Sequence, residues 1–266
     1  MAFHAKNFIF DEKPSEFYNI YLGEFNNDSS DIATPSSGDV SLLTQKLFRR
    51  PTPLFWGSEQ LPVLSFPLAL YSPDEISAPA FSEIGTWLFG QMEYKTLRIC
   101  QNDLFDVFFN CFFAAPQSIR TGNIIRGLSC TVICDSPFGW KTPKYYDYTF
   151  TNQYLITDYV TFFNESADSA YTYPTELIIT ANIFGGSVTI TNITDNSRQF
   201  ILTLLPNEVV TLDCNHQFIS SSLVTYPLYN FNLSWLRFLP GTNTLKIEGN
   251  VSEVEITSPV AVKIGP

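Results

Sequence analysis

Charge is scarce in this chain: only 15% of its 266 residues are Asp, Glu, Lys or Arg, against about 25% in a typical soluble domain. Low charge with 24 Phe, 13 Tyr and 4 Trp excludes intrinsic disorder, which needs charge-rich, aromatic-poor sequence. Glycine is sparse as well, at 13 residues, which excludes collagen, and 15% charge excludes a coiled coil. No stretch reaches the roughly 18 consecutive apolar residues that a membrane-spanning helix requires. The first residues, Met1 to Asp11, lack a basic segment followed by an apolar one, so no secretory leader is visible and synthesis in a cytoplasm is expected. A surface with so few charges must be covered by Ser, Thr, Asn and aromatics, or be hidden in an assembly. Assembly is the better reading.

Basic residues are the rarer sign. Fifteen Lys and Arg face 26 Asp and Glu, for a net charge of −11. Non-specific binding to nucleic acid relies on Lys and Arg displacing counterions from phosphates, so specific nucleic-acid readout is not expected. At 266 residues the chain is one large domain or two small ones, on a prior of roughly 150 residues per domain.

Catalytic and metal-binding signals are equally thin. His4 and His216 are the only imidazoles. His216 lies two residues after Cys214 and three after Asp213, but no third group is apparent to orient a nucleophile and base. There is no His-Glu-x-x-His, no phosphate-cradling Gly-x-x-x-x-Gly-Lys-Ser/Thr and no Gly-x-Ser-x-Gly. Glycosidases need only two carboxylates a few ångströms apart; Glu253 and Glu255 share one strand face, and alternation with Val254 and Ile256 explains them without chemistry. Five cysteines (100, 111, 130, 134 and 214) form an odd set without a disulfide framework. Cys130 and Cys134 on one strand would lie roughly 13 Å apart, beyond the reach of a bridge. They read as small buried hydrophobes. No catalytic residue, metal site or cofactor is expected, and the protein is not expected to be an enzyme. The Asn-x-Ser/Thr triplets at Asn164, Asn192, Asn232 and Asn250 carry no information without a secretory route.

What is present is strand pattern in two halves. Phe8 to Phe25 alternates apolar and polar residues around a turn at Lys13-Pro14-Ser15, which reads as two short strands. Asn26 to Asp39 is a polar loop or hairpin tip. Leu42 to Trp56 holds the only adjacent arginines, Arg49-Arg50, beside Pro51 and Pro53, and reads as an extended arm or long hairpin, since proline disfavours helix in the residue before it. Leu61 to Tyr71 reads as a strand. One helix is expected: Pro79 suits its first turn, Phe81, Ile84, Gly85 and Leu88 share a face, and Gly90 follows as a stop. Trp87 on it reads as core. Leu97–Cys100, Leu104–Phe113 and Ile124–Asp135 read as strands, the second apolar on both faces, the third with Leu128, Cys130, Val132 and Cys134 on one face.

Ser136-Pro137-Phe138-Gly139 is the best boundary, giving domains 1–137 and 138–266. Beyond it the short strands Leu177–Ile183, Ser187–Ile193, Gln199–Leu204, Glu208–Asp213, Leu233–Phe238, Thr244–Glu248 and Val254–Thr257 are spaced by turns, which suggests an all-β sandwich. Trp235 reads as core of its strand.

The ordered series resembles the distal tail protein (Dit) family of siphophages, particularly those infecting Gram-positive bacteria. It runs from Phe8-Ile9-Phe10-Asp11, Pro14-Ser15-Glu16-Phe17-Tyr18 and Tyr21-Leu22, through Gly38-Asp39-Val40 and Ile84-Gly85-Thr86-Trp87-Leu88, to Gly127-Leu128-Ser129-Cys130-Thr131-Val132-Ile133-Cys134-Asp135-Ser136-Pro137-Phe138-Gly139. It closes on Phe231-Asn232 and Leu239-Pro240-Gly241-Thr242-Asn243-Thr244-Leu245. The segment Leu42–Trp56 departs from the family pattern in detail. The resemblance implies a mainly β fold of two domains: an N-terminal ring-forming β-core with one α-helix and an extended arm, then a C-terminal galectin-like β-sandwich. It implies a structural virion protein, a distal tail or baseplate hub whose homohexameric ring joins the tail tube protein to the tail-associated lysin or tail tip protein and supports receptor-binding proteins. The expected place is the virion tail tip, after synthesis in the bacterial host cytoplasm. Arg49, Arg50, Phe55 and Trp56 of the arm are the residues expected at the contact between subunits. An acidic ring lumen would let DNA pass without sticking. The rival reading is a non-phage, lectin-like carbohydrate-binding sandwich. A tail tube or other baseplate subunit is disfavoured by length.

Overall fold

The computed structural model describes residues 5–23, 40–60, 63–151, 154–168, 170–224 and 227–265. His4, the polar stretch 26–39 with Gly38 and Asp39, and the start of the expected strand at Leu61 lie outside the described residues. The fold is mainly β, 54% strand with one α-helix. It divides into two units, each with its own buried core.

In the first unit, β1 (Phe8–Phe10), β2 (Lys13–Pro14), β3 (Tyr21–Leu22), β6 (Ser65–Tyr71), β7 (Lys95–Ile99), β8 (Phe109–Thr121) and β9 (Ile124–Cys134) form a seven-stranded sheet in the order β2-β1-β7-β8-β9-β6-β3. Neighbouring strands run antiparallel. Its register follows the two-residue period: Leu128, Cys130, Val132 and Cys134 of β9 are all buried, as expected from alternation. The helix α1 (Ala78–Phe89) begins where the Ser77 hydroxyl accepts a bond from the Ala80 N–H, with Pro79 in the first turn, a common N-terminal arrangement. It ends at Gly90, whose N–H reaches the Thr86 carbonyl. Ile84, Trp87 and Leu88 supply its buried face. Trp87 docks it: the indole stacks on Phe8 at 5.8 Å and on Tyr18 at 4.6 Å, and donates to the Phe10 carbonyl at 3.1 Å.

The expected strand Leu104–Phe113 is corrected. Asn102–Leu104 is a turn of 3-10 helix and the strand starts at Phe109. Phe105 stands 77% exposed, Leu104, Val107, Phe109, Cys111 and Phe113 of the run are buried, and Phe108 and Phe112 are half-buried. A continuous apolar run is therefore a turn that exposes Phe105, followed by an alternating strand.

The second unit is a β-sandwich. One sheet is ordered β10-β18-β12-β15-β16 from β10 (Gly139–Thr149), β12 (Glu176–Ala181), β15 (Val209–Asp213), β16 (Phe218–Ser221) and β18 (Val251–Val262). The other is ordered β11-β17-β13-β14 from β11 (Ile156–Asn164), β13 (Gly186–Asn192), β14 (Arg198–Leu204) and β17 (Gly241–Gly249). Inward residues of both, such as Leu177, Ile179, Val188, Ile190, Phe200 and Ile256, make one core. The expected strand Leu233–Phe238 is corrected: only Phe238 pairs, in an isolated bridge with Thr172, and Leu233 has φ +57°, which ends extended backbone. The Asn232 carboxamide holds the segment instead, bonding Gln199, Ile201 and Ser234.

The first unit takes the chain up to Trp140 and regains it at Val262; the second is Lys141–Ala261. The reason is Ile264, which is buried in the first core. Gly139 lies so close that a Cβ there would come 2.7 Å from Val107 and 3.0 Å from Ile264.

Three buried asparagines secure one end of the sandwich. Asn243 donates to the carbonyls of Leu239 and Gly241 and accepts from the Leu239 N–H and from Asn192. Asn192 also donates to the Arg237 carbonyl, and Asn164 donates to Thr172 and to the Leu239 carbonyl. Buried amides persist only when bonded in this way. Asn164 and Asn192, each the first residue of an Asn-x-Ser/Thr triplet, are thus internal bonding centres.

Candidate functional site

Among the described residues the two strands β4 (Val40–Gln45) and β5 (Leu54–Gln60) pair only with each other, antiparallel from Val40↔Gln60 to Gln45↔Leu54. The register shifts between Leu43 and Thr44, leaving Trp56 as the unpaired residue of a bulge. This is the arm expected from Leu42 to Trp56, and it is a hairpin. Successive strand residues face opposite sides, so the exposed neighbours Leu42 and Leu43 leave apolar side chains uncovered on both faces, and the exposed Phe55 and Trp56 at the bulge add aromatic ones. A lone two-stranded hairpin is marginal in water.

Its connecting loop is basic. Lys46, Arg49 and Arg50 fall within five residues. None makes an ion pair among the described residues. Arg49 has φ +62° and its guanidinium lies 5.2 Å from the centre of the Phe48 ring, within cation–π range. Of the residues expected at a subunit contact, the structure places Arg49 and Arg50 in the loop and Phe55 and Trp56 on β5, the last 67% exposed. Sequence reading missed Phe48, which is 90% exposed at the tip, and Lys46. Their signal was available: Lys-Leu-Phe-Arg-Arg places large apolar groups among cations, a composition that no core accepts.

The residues weighed for catalysis do not come together as a nucleophilic site. Cys214 is buried, its thiol pushed up to about 12 chiefly by burial, while His216 is exposed and bonds Asp213 at 2.7 Å. Glu253 and Glu255 lie on the outward side of β18, and Glu255 accepts a bond from the Tyr145 hydroxyl at 2.6 Å. Burial likewise pushes Cys130 and Cys134 up to about 12. Among the described residues no group of three His, Cys, Asp or Glu is arranged to hold a metal, and no helix is long and apolar enough to cross a membrane.

A two-unit, mainly β chain whose hairpin β4–β5 leaves apolar side chains and cations uncovered is built like a component of a larger structure. The known proteins it matches are of that class. Residues 3–136 match the model of a phage tail protein N-terminal domain, and residues 138–258 that of a phage tail C-terminal domain. The chain belongs to this phage tail protein family. Its fold is similar to the crystal structure of the SPP1 Dit (gp 19.1) protein, described as a paradigm of hub adsorption apparatus in phages infecting Gram-positive bacteria. That likeness has a TM-score of 0.65 at 8% identity, and covers 95% of this chain and 98% of the other. No curated protein matches. The resemblance to distal tail proteins is borne out, and a sandwich with no phage connection is set aside.

Proposed function

We propose that this protein is the distal tail hub of a siphophage: a homohexameric ring that joins the tail tube protein to the tail-associated lysin or tip protein and carries receptor-binding proteins. It acts by assembly, not catalysis, in the virion, after synthesis in the host cytoplasm. The observation that carries the reading is the hairpin β4–β5, apolar on both faces and cationic at its tip.

A second copy of the chain is the partner that fits. With Lys46, Arg49 and Arg50 set apart, twelve basic residues face 26 acidic ones over the rest of the sequence. The hairpin tip therefore meets an oppositely charged surface on any copy of its own chain, where a guanidinium fork can bond carboxylates or carbonyls. Docking would bury the exposed aromatic groups, and closure into a ring would satisfy every arm at once. Six copies is the stoichiometry of this proposal, as the resemblance of the sequence to distal tail proteins implies. The division into units near residue 138 fits the same plan, with the ring assigned to the first and the outward sandwich to the second.

The test is a photo-reactive phenylalanine analogue at position 48 in a mixture of tagged and untagged full-length chains. Crosslinks between tagged and untagged copies are expected. Crosslinks confined within one chain, or none, would contradict the arm's role.

A further inference from the structure

On the open side of the sandwich a cleft of about 470 Å³ is lined by Tyr173, Arg198, Gln217, Leu228, Leu233 and Trp235. It lies by the outer strands of both sheets. Arg198 begins β14, the last strand of the four-stranded sheet, and Gln217 immediately precedes β16, the last of the five-stranded one. Its size suits a small molecule.

Two arginines stand at this end and only one is neutralised. Arg237 is clamped by Asp195 at 2.7 and 3.2 Å and lies 3.6 Å over the Tyr171 ring. Arg198 makes a single bond, from its Nε to the Trp235 carbonyl at 3.4 Å. It has no carboxylate partner among the described residues, in a chain of net charge −11. The guanidinium thus retains most of its five donors beside the cleft.

Trp235 adds a second donor. The residue is only 8% exposed, yet its indole N–H has no protein acceptor among the described residues and is not among the sealed, unpaired polar atoms. Its remaining access is to solvent, through the cleft that it lines. A mostly buried indole N–H ordinarily finds an acceptor. The Gln217 carboxamide supplies further bonding capacity.

The backbone on both sides is strained. Gln217 and Leu233 have φ of +56° and +57°, the left-handed region that crowds the Cβ of a non-glycine residue. Leu233 nevertheless stays 61% exposed at the rim, fixed there by the Asn232 carboxamide. Strain of this kind persists where the surroundings enforce it, and it clusters at ligand sites.

We propose that this cleft is a binding site for an anionic sugar, a saccharide bearing a carboxylate or phosphate. The anionic group sits on Arg198, hydroxyl oxygens accept from Trp235 and Gln217, and the apolar C–H face of the ring rests on Leu228 and Leu233. The donor-rich polar lining selects an acceptor-rich, negatively charged ligand. Trp235 presents little more than an edge, so a flat aromatic base finds no platform here. The site stands independently of the ring.

The test uses the full chain and its tryptophan fluorescence, with glucuronate, glucose 6-phosphate, glucose and inorganic phosphate as probes. Saturable change with at least one anionic sugar is expected, half-complete at roughly 1 mM. Glucose and inorganic phosphate should need at least tenfold more. Arg198→Gln should raise the half-saturation point at least tenfold, and Trp235→Phe should remove the signal; Gln217→Ala replaces either variant if it fails to fold, with several-fold weakening expected. A stronger response to glucuronate or to glucose 6-phosphate supports the site and identifies the anionic group. No saturable response to either, equal affinity for inorganic phosphate, or unchanged binding in a folded Arg198→Gln would overturn the proposal.

Discussion

Replacing Asn243 by Ala should unfasten one end of the sandwich, and the size of the effect follows from its bonds. The carboxamide is fully buried and makes four of them: to the Leu239 carbonyl at 2.7 Å, to the Gly241 carbonyl at 3.1 Å, from the Leu239 N–H at 2.9 Å and from Asn192 at 3.0 Å. Two partners retain alternatives, since Asn192 still donates to the Arg237 carbonyl and the Leu239 carbonyl still accepts from Asn164. The Leu239 N–H retains none among the bonds described. One orphaned donor costs about 1–3 kcal/mol and each net bond lost about 0.5–1.5 kcal/mol, so a loss of roughly 3–5 kcal/mol is expected. For a unit of about 120 residues that corresponds to a fall of roughly 10–20 °C in Tm. Calorimetry of the full chain reads it as a selective shift of one transition, with native-state hydrogen exchange at Leu239 as the local reporter. Asn230→Ala, at an exposed position, is the control and should change stability by less than about 0.5 kcal/mol. A loss below about 1 kcal/mol for Asn243→Ala would refute the claim that this carboxamide organises the Pro-Gly-Thr-Asn turn.

Trp87→Ala should cost about 3–5 kcal/mol by the usual scale of aromatic truncation in a core, seen in chemical denaturation of the first unit. A loss under 1.5 kcal/mol would mean that α1 is held by something other than its stack on Phe8 and Tyr18. Gly249→Ala should be poorly tolerated, because φ is +131° and a Cβ would fall 2.3 Å from the Ser187 carbonyl oxygen; soluble expression and Tm check it, and a wild-type Tm would contradict it. Ellman's reagent near pH 8 should modify at most Cys100 in the native chain, since the other four thiols are buried and Cys130, Cys134 and Cys214 are pushed up to about 12. A raised thiol pKa means that the unreactive neutral form dominates until the chain unfolds, so two or more fast-reacting thiols would contradict the burial. Arg49→Ala together with Arg50→Ala should weaken assembly by roughly tenfold in concentration if charge-assisted bonds are lost, and unchanged assembly would remove the arginines from the contact.

Much of this architecture was legible because the burial of each element follows a simple period. Ile84, Trp87 and Leu88 mark the inward face of α1, and Ser77 to Gly90 brackets it with a cap and a stop. The β9 face is plain for the same reason. The second-unit strands that were missed, β10, β11 and β16, lie at sheet edges, and in β10 the exposed Asp147 falls between the half-buried Tyr146 and Tyr148. Such a strand has one weakly buried face and can carry a proline, here Pro143, so it reads as punctuation. Leu233–Phe238 misled in the opposite sense, since Trp235, Leu236 and Phe238 are buried from an irregular segment held by Asn232. The hairpin was visible through Arg49-Arg50 and its prolines, and the cations around Phe48 mark it as no core residue. The return of Ile264 to the first core was hidden, because it depends on tertiary surroundings that no local pattern encodes.

The central claim is that the chain closes on copies of itself, and the mass of the purified full-length protein tests it most directly. One chain is 30.1 kDa. Mass photometry should show a species near six times that mass, about 180 kDa for a closed symmetric ring, and Phe48→Ser with Trp56→Ser should collapse it toward the single chain. A wild-type protein that stays at one chain's mass, alone and with its tail partners added, or a ring indifferent to those two substitutions, would contradict the account.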